Sequence, residues 1–368
     1  MPSGTFKSSA KLLAKVLAFV LAVVIPISFL CPHCAGAEVQ TQWIRPMKPG
    51  DPLLWGRKDG LIFGLPSDGG LPGPRGLIRV GMLSARTGSP ELLNYVAIEP
   101  VTTGRGSRGD RMAFSELEMS LSDAQPGKRL WVEAGVSGLS GELSTQSGGQ
   151  TSIETLTVRI EVERFQSNGA HVYVIASVAS DHPQELRLSV HRHDDSPEIE
   201  ELTLPATMGN YERLRWLWLK DQVVDSREIY RGYKGDDFAE HATYPLKNML
   251  RPPDGDAIVF CTTNEAYPES NPNFAAKEHW RYRLTRTTQY WRVPAADIEP
   301  NLRVRVNGRR VYWNTHSPLG GGIAFENFEV RQKYKPGQTF VFGFSTKEPW
   351  EFEPHIAHLA AARIPEVN

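Results

Sequence analysis

Apolar and polar residues alternate through Leu156, Val158, Ile160 and Val162 against Thr157, Arg159, Glu161 and Glu163, the period of a half-buried antiparallel strand. Ser167-Asn-Gly-Ala170 turns the chain into Val172, Val174, Ala176 and Val178. Asp181-His-Pro183 turns it again into Leu186, Leu188 and Val190. Three such runs joined by short turns predict a meander. Strand patterns also cover Leu77–Leu83, Leu92–Val101, Phe114–Leu121 and Arg129–Val136 before it, and His279–Val293, Leu302–Trp313, Ile323–Val330 and Thr339–Ser345 after it. Glu38–Gly76, rich in Pro and Gly, is expected to wrap a sheet edge, and His355–Arg363 is expected to form a short helix.

Ala206–Asp221 divides the regular strands from a C-terminal part crowded with Trp, Tyr, Arg and His. Gly209-Asn210 reads as a turn and Leu214–Leu219 as a strand, with Leu214, Trp216 and Trp218 on one face and Arg213, Arg215, Leu217 and Leu219 on the other. Both faces of its end are then covered. Its tryptophans are expected between two sheets, and Tyr211 and Arg213 at its open end. With no repeat of fixed period and no linker, the expectation is all-β: one large antiparallel β-sandwich domain over residues 38–368, with long loops and little helix.

The N-terminus changes the compartment. Lys7, Lys11 and Lys15 precede an uncharged run, Val16–Leu30, and Ala35-Gly36-Ala37, the layout of a signal peptide over residues 1–37. Cleavage gives a secreted or periplasmic bacterial protein, without a membrane partner; an uncleaved segment gives an N-terminal anchor. A formal charge of −1, from 41 basic and 42 acidic residues, provides no global field for nucleic acid. Of three cysteines, Cys31 and Cys34 lie in the signal region, and Cys261 sits in an apolar strand run, which makes it a core residue. Nothing in the sequence identifies a cofactor, a metal site or an oligomeric state.

Candidate chemistry collects in the C-terminal part. Asn307-Gly308 reads as a two-residue hairpin turn, which sets Arg303, Arg305, Arg310 and Tyr312 on one face. Opposed like charges there call either for carboxylates of the protein or for an anionic ligand. In His279–Trp291, Arg281 shares a strand face with other polar residues, with His279 at its entry. Guanidinium groups beside aromatic rings suit sugars and carboxylates. His191 and His193, followed by Asp194 and Asp195, read as a surface turn rather than a metal site. Glu326 and Glu329 invite comparison with a glycosidase pair, but three residues apart they fall on opposite faces of a regular strand, so that at most one can act.

Asn94-Tyr-Val-Ala-Ile-Glu-Pro100, Glu185-Leu-Arg-Leu-Ser-Val-His191 and Gly320-Gly-Gly-Ile-Ala-Phe-Glu326, with the strand rhythm, resemble the galactose-mutarotase-like supersandwich of carbohydrate-active proteins. The resemblance implies that fold and a carbohydrate partner, and carries no residue roles. Two functions stand at this point. One is an exported protein that binds or acts on an anionic polysaccharide, by β-elimination if it is an enzyme. Arg213, Arg281, Arg303, Arg305, Arg310 and Tyr312 would then bind substrate, and Tyr211, His279, Tyr290 and Glu326 would supply base or acid. The other is a non-catalytic interaction sandwich of the cell envelope.

Overall fold

A computed structural model describes residues 42–65, 76–85, 87–103, 111–119, 141–148, 151–264, 286–313 and 315–361. The predicted signal segment and Arg129–Val136 lie outside them. So do His279 and Arg281. The N-terminal part supplies β1 (Trp43–Ile44), β2 (Leu54–Arg57), β3 (Leu61–Gly64), β4 (Ile78–Leu83), β5 (Pro90–Val96), β6 (Glu99–Thr102) and β7 (Arg111–Met112). The middle supplies β8 (Glu142–Gly148), β9 (Thr151–Glu161), β10 (Val172–Ala179), β11 (His182–Arg192) and β12 (Ile199–Thr207). Then follow β13 (Leu214–Trp218), β14 (Val223–Asp225), β15 (Ala242–Pro245), β16 (Ala257–Thr263), β17 (Thr288–Val293), β18 (Arg303–Arg309), β19 (Ala324–Lys333) and β20 (Thr339–Ser345).

Every pairing between these strands is antiparallel, and they form two sheets. The first runs β1-β2-β3-β4-β5-β12-β19-β18-β15, with β6 also on β12 and β7 on β6. The second runs β14-β13-β16-β17-β20-β11-β10-β9-β8. The chain is an all-β antiparallel sandwich, as its alternation predicts, and β9, β10 and β11 form the expected meander. Leu204, Val304, Phe328 and Val330 of the first sheet meet Val158, Leu188, Leu217 and Phe342 of the second in one buried core. Polar ties cross it: Asn94 donates to Gln289, and Trp291 Nε1 donates to the Phe328 carbonyl at 2.9 Å.

Three expectations are corrected. Trp216 and Trp218 are not between the sheets. Trp218 is fully buried on the outer face of the second sheet, where Trp216, Trp350, Phe352, Ile356 and Leu359 also pack. The C-terminal elements, α2 (Pro349–Phe352), the 3-10 turn Pro354–Ile356 and α3 (Ala357–Ala361), supply much of that cover. A bulge explains the inversion: Leu214 pairs Thr263 while Trp216 pairs Thr262, so Arg215 is an extra residue and Leu214, Leu217 and Leu219 all reach the core. Arg215 turns aside to donate to the carbonyls of Gly320, Gly322 and Ile323, so the Gly320-Gly-Gly322 loop is wrapped round a guanidinium.

Second, Asn307-Gly308 is no hairpin turn. β18 continues through it, and a Cβ on Gly308 would crowd Ile323 Cγ1 at 3.0 Å and the Ala324 carbonyl at 3.1 Å. Third, Phe114–Leu117 is a turn rather than a strand, closed by the amides of Leu117 and Glu118 on the Phe114 carbonyl, each at 3.1 Å. Ser115 stitches that turn to the first sheet through the Gly76 carbonyl at 2.6 Å and the Ile98 amide at 3.1 Å.

Candidate functional site

The site begins with a second bulge. Val306 pairs Phe328 and Gly308 pairs Phe325, so β19 carries one more residue than β18 across that interval. The extra peptide is accommodated because the Asn307 side-chain oxygen accepts from the Asn327 amide at 3.0 Å. Phe325 and Phe328, three apart, both enter the core, and Glu326 and Glu329, three apart, both line one cavity. The expectation that these two carboxylates lie on opposite faces is therefore overturned by the irregularity of the strand.

The cavity has a volume of about 230 Å³ and also holds Glu99, Glu116, His241, Arg305, Asn307 and Trp313. Glu329, buried, lies 2.8 Å from His241 Nε2, which is placed to donate, and 3.4 Å from Arg305 Nη1. Glu326 is only 1 % exposed, and neither of its oxygens has a hydrogen-bond partner among the described residues. Burial pushes its carboxyl up to about 8, against the pull of the nearby Arg309 guanidinium. Burial also lifts Glu116 to about 7, its own backbone amide pulling down and the charge of Glu329 adding to the rise. Glu99 stands well above the ordinary carboxylate range, through burial and then the charges of Glu116 and Glu329.

Aromatic and apolar side chains form the mouth. Trp313 packs on Phe238 with ring centroids 5.8 Å apart, and the Arg309 guanidinium lies 4.9 Å from the Trp313 ring. Phe114, Leu117 and Phe238 are among the large apolar side chains the molecule exposes, and all three line this cavity. The loop carrying Phe238 is held by arginine: Arg309 Nη2 donates to the Asp236 carbonyl at 3.1 Å, and Arg310 reaches the Gly235 carbonyl at 3.3 Å and Asp236 Oδ1 at 3.4 Å.

Behind Glu326 the chain is strained. Met208, which lines the cavity, has φ 65, and Arg213 has φ 50, both in the left-handed region that side chains with a Cβ avoid. Between them the 3-10 turn Gly209–Tyr211 sits directly on β19, where a Cβ on Gly209 would meet the Phe325 carbonyl at 2.9 Å. The turn brings Tyr211 close enough to Glu326 and Tyr95 for their charges to add to burial in raising its phenol.

The sequence-selected residues divide. Arg305 and Glu326 line the cavity, and Tyr211 stands behind it, stacked on Tyr312 with ring centroids 6.3 Å apart. Tyr312 and Arg213 are each 1 % exposed and in contact, Arg213 Nη2 lying 3.5 Å from the phenol oxygen, so neither presents a binding surface. Arg303 is spent on Glu201 through two hydrogen bonds of 3.0 Å, and Arg310 on the Phe238 loop. Tyr290 belongs to the second sheet, buried against Phe260 and Phe352 and donating to Glu185 Oε1 at 3.0 Å. The placement of His279 and Arg281 is not described.

Glu99, Glu116, His241, Trp313 and Phe238 are not marked as site residues by the sequence, and Glu329 is read there as facing away from Glu326. For Glu329 a signal exists: apolar Phe325, Phe328 and Val330 break the period of two and mark an extra residue. A wider depression of about 1080 Å³, lined by Lys220, Lys247, Arg251, His355 and His358, contains none of the residues selected from sequence. Comparison with known protein families, with characterised proteins and with solved structures finds no match to this chain.

Proposed function

We propose that this chain is a carbohydrate-active protein that takes one sugar ring into the Glu326 cavity and cleaves the attached glycosidic bond with acid assistance. Glu326 carries the reading: a buried carboxyl lifted to about 8 holds a proton at neutral pH, in a cavity open to a ligand. Glu329, on the same face and charge-paired with His241 and Arg305, is the second carboxylate of the pair. The cavity is smaller than the roughly 300–1,000 Å³ of sites for drug-sized ligands, which suits one ring. Trp313 and Phe238 offer apolar faces for it to pack on.

In the proposed reaction Glu326 gives its proton to the glycosidic oxygen as the C1–O bond breaks, and the bonding electrons leave with that oxygen. Glu329 stabilises the positive charge developing at C1 or takes a proton from the attacking water, and Glu326 regains a proton at the end of the cycle. One water is consumed for each bond. Uronate β-elimination has less support, because Arg303, Arg305 and Arg310 each face a carboxylate and the cavity is acidic. Export through the N-terminal segment and kinship with supersandwich domains belong to the same proposal.

The test is reducing-end release from a panel of oligosaccharides of neutral, cationic and anionic type. Glu326→Gln is expected to lower turnover by at least about 100-fold with binding retained, the scale of a lost general acid. Binding by the wild type without turnover reduces the protein to a binding module. Absence of binding to every glycan removes the proposal.

A further inference from the structure

The cavity gathers more carboxyl groups than the chain pairs with cations. Glu99, Glu116, Glu326 and Glu329 line it, against two groups that can be positive, Arg305 and His241. Both are placed on Glu329, at 3.4 Å and 2.8 Å. Arg303 and Arg331, on the neighbouring surface of the first sheet, are engaged by Glu201, with Arg331 Nε at 2.7 Å from Oε2. Glu99, Glu116 and Glu326 are left without an ion pair among the described residues, although Glu99 and Glu326 are 5 % and 1 % exposed. Burial favours the protonated form of such carboxyls while the cavity is empty, and a cation entering the cavity would give their charged form an ion-pair partner.

A metal ion does not fit that deficit. Among the described residues no group of three His, Cys, Asp or Glu side chains converges closely enough to hold one. The carboxyl groups come from β6, from the turn that follows β7 and from β19. What matches them is a molecule that fills the space and brings positive charge to the walls, with enough apolar surface to pass the rings of Trp313 and Phe238. An ammonium group offers three N–H donors on a tetrahedral centre, so one cation can satisfy several separate carboxylate oxygens.

We propose that the sugar admitted to this cavity carries a free amino group, bound as its ammonium ion by the carboxylates of Glu99 and Glu116 beside Glu326. The inference rests on the carbohydrate reading above. It assigns Glu99 and Glu116, which come from β6 and from the turn that follows β7, the task of selecting substrate by charge. N-acetylation removes the cation and adds bulk, a neutral sugar brings no charge, and a uronate is repelled.

The experiment measures affinity of the full protein by titration calorimetry at neutral pH for four ligands of equal length: tetramers of glucosamine, N-acetylglucosamine, glucose and galacturonate. The glucosamine tetramer is expected to bind at least about tenfold more tightly than the glucose tetramer, with the advantage shrinking as salt is raised. Glu116→Gln, with its melting transition checked, is expected to remove most of that advantage while glucose binding persists. Glu99→Gln tests the buried partner and is judged only if its melting transition is intact. Equal affinities for glucosamine and glucose, or tighter galacturonate binding, overturn the amine preference and leave the carbohydrate reading standing. Failure of all four to bind, with methylammonium binding on its own, overturns both.

Discussion

Glu326→Gln is expected to make the protein more stable while making it inactive, and the stability gain has a pH signature. The carboxyl shifts from 4.5 to about 8 on folding. Below 4.5 both states are protonated and the residue is neutral to stability. Between those values the unfolded chain binds fewer protons than the folded one, so stability falls as pH rises; above about 8 the loss is complete. At pH 7 the cost of keeping Glu326 in place is ~3 kcal/mol, and it reaches ~5 kcal/mol above pH 8, since one pKa unit is worth about 1.4 kcal/mol. Glutamine has nearly the same shape and carries no charge to desolvate. Urea unfolding of both proteins at several pH values is expected to give equal stabilities near pH 4.5, then a gap widening by about 1.4 kcal/mol per unit towards pH 8. A gap that is constant across this range, or that favours the wild type as pH rises, refutes the reasoning. It would mean that the folded protein holds Glu326 charged and partnered.

Trp313→Ala is expected to weaken glycan binding by about tenfold, the scale of one lost aromatic platform, with a stability change below about 1 kcal/mol because the ring is half-exposed; calorimetry and thermal unfolding together check this. Gly343→Ala should cost ~3 kcal/mol or more in thermal unfolding, because a Cβ there would lie 1.9 Å from Tyr290 Cζ, between backbone and ring. Arg215→Lys should destabilise the fold by ~2–4 kcal/mol in urea unfolding, since one ammonium cannot reproduce a fork that reaches the carbonyls of Gly320, Gly322 and Ile323. A lysine variant as stable as the wild type would show that the loop holds itself.

The sandwich was legible where the two faces of a strand differ in chemistry. Leu156, Val158 and Ile160 against Thr157, Arg159 and Glu161 leave one choice of face, and the meander follows. Alternation does not say which side of a sheet another layer will cover. That is why the pattern places Trp216 and Trp218 between the sheets, whereas Trp218 is buried and Trp216 partly buried on the outer side. Asn307-Gly308 misled because turn propensity is local, whereas the need for Asn307 is set by a strand that begins at Ala324. The site shares that difficulty. Glu99, Glu116, His241, Arg305 and Glu326 come from separate parts of the chain, and no window of sequence contains their meeting. Of the Arg-rich surface, charge counting offered two outcomes, pairing with carboxylates of the protein or with a ligand, and Glu201, Glu329 and Asp236 realise the first for Arg303, Arg305 and Arg310.

Asn327 gives β19 a property that residue identity alone does not express. Without it the strand would read Phe-Glu-Phe-Glu-Val, a plain alternation facing the same two ways, with both carboxyls still on the cavity side. The supernumerary residue therefore acts on spacing: it sets how far apart the Glu326 and Glu329 carboxyls stand and how their side chains are aimed, leaving their number and burial alone. In glycosidic cleavage that separation decides whether a water fits between sugar and base, and with it the configuration at C1 of the product. Under the proposed function, strand length by one residue becomes a stereochemical variable in this fold.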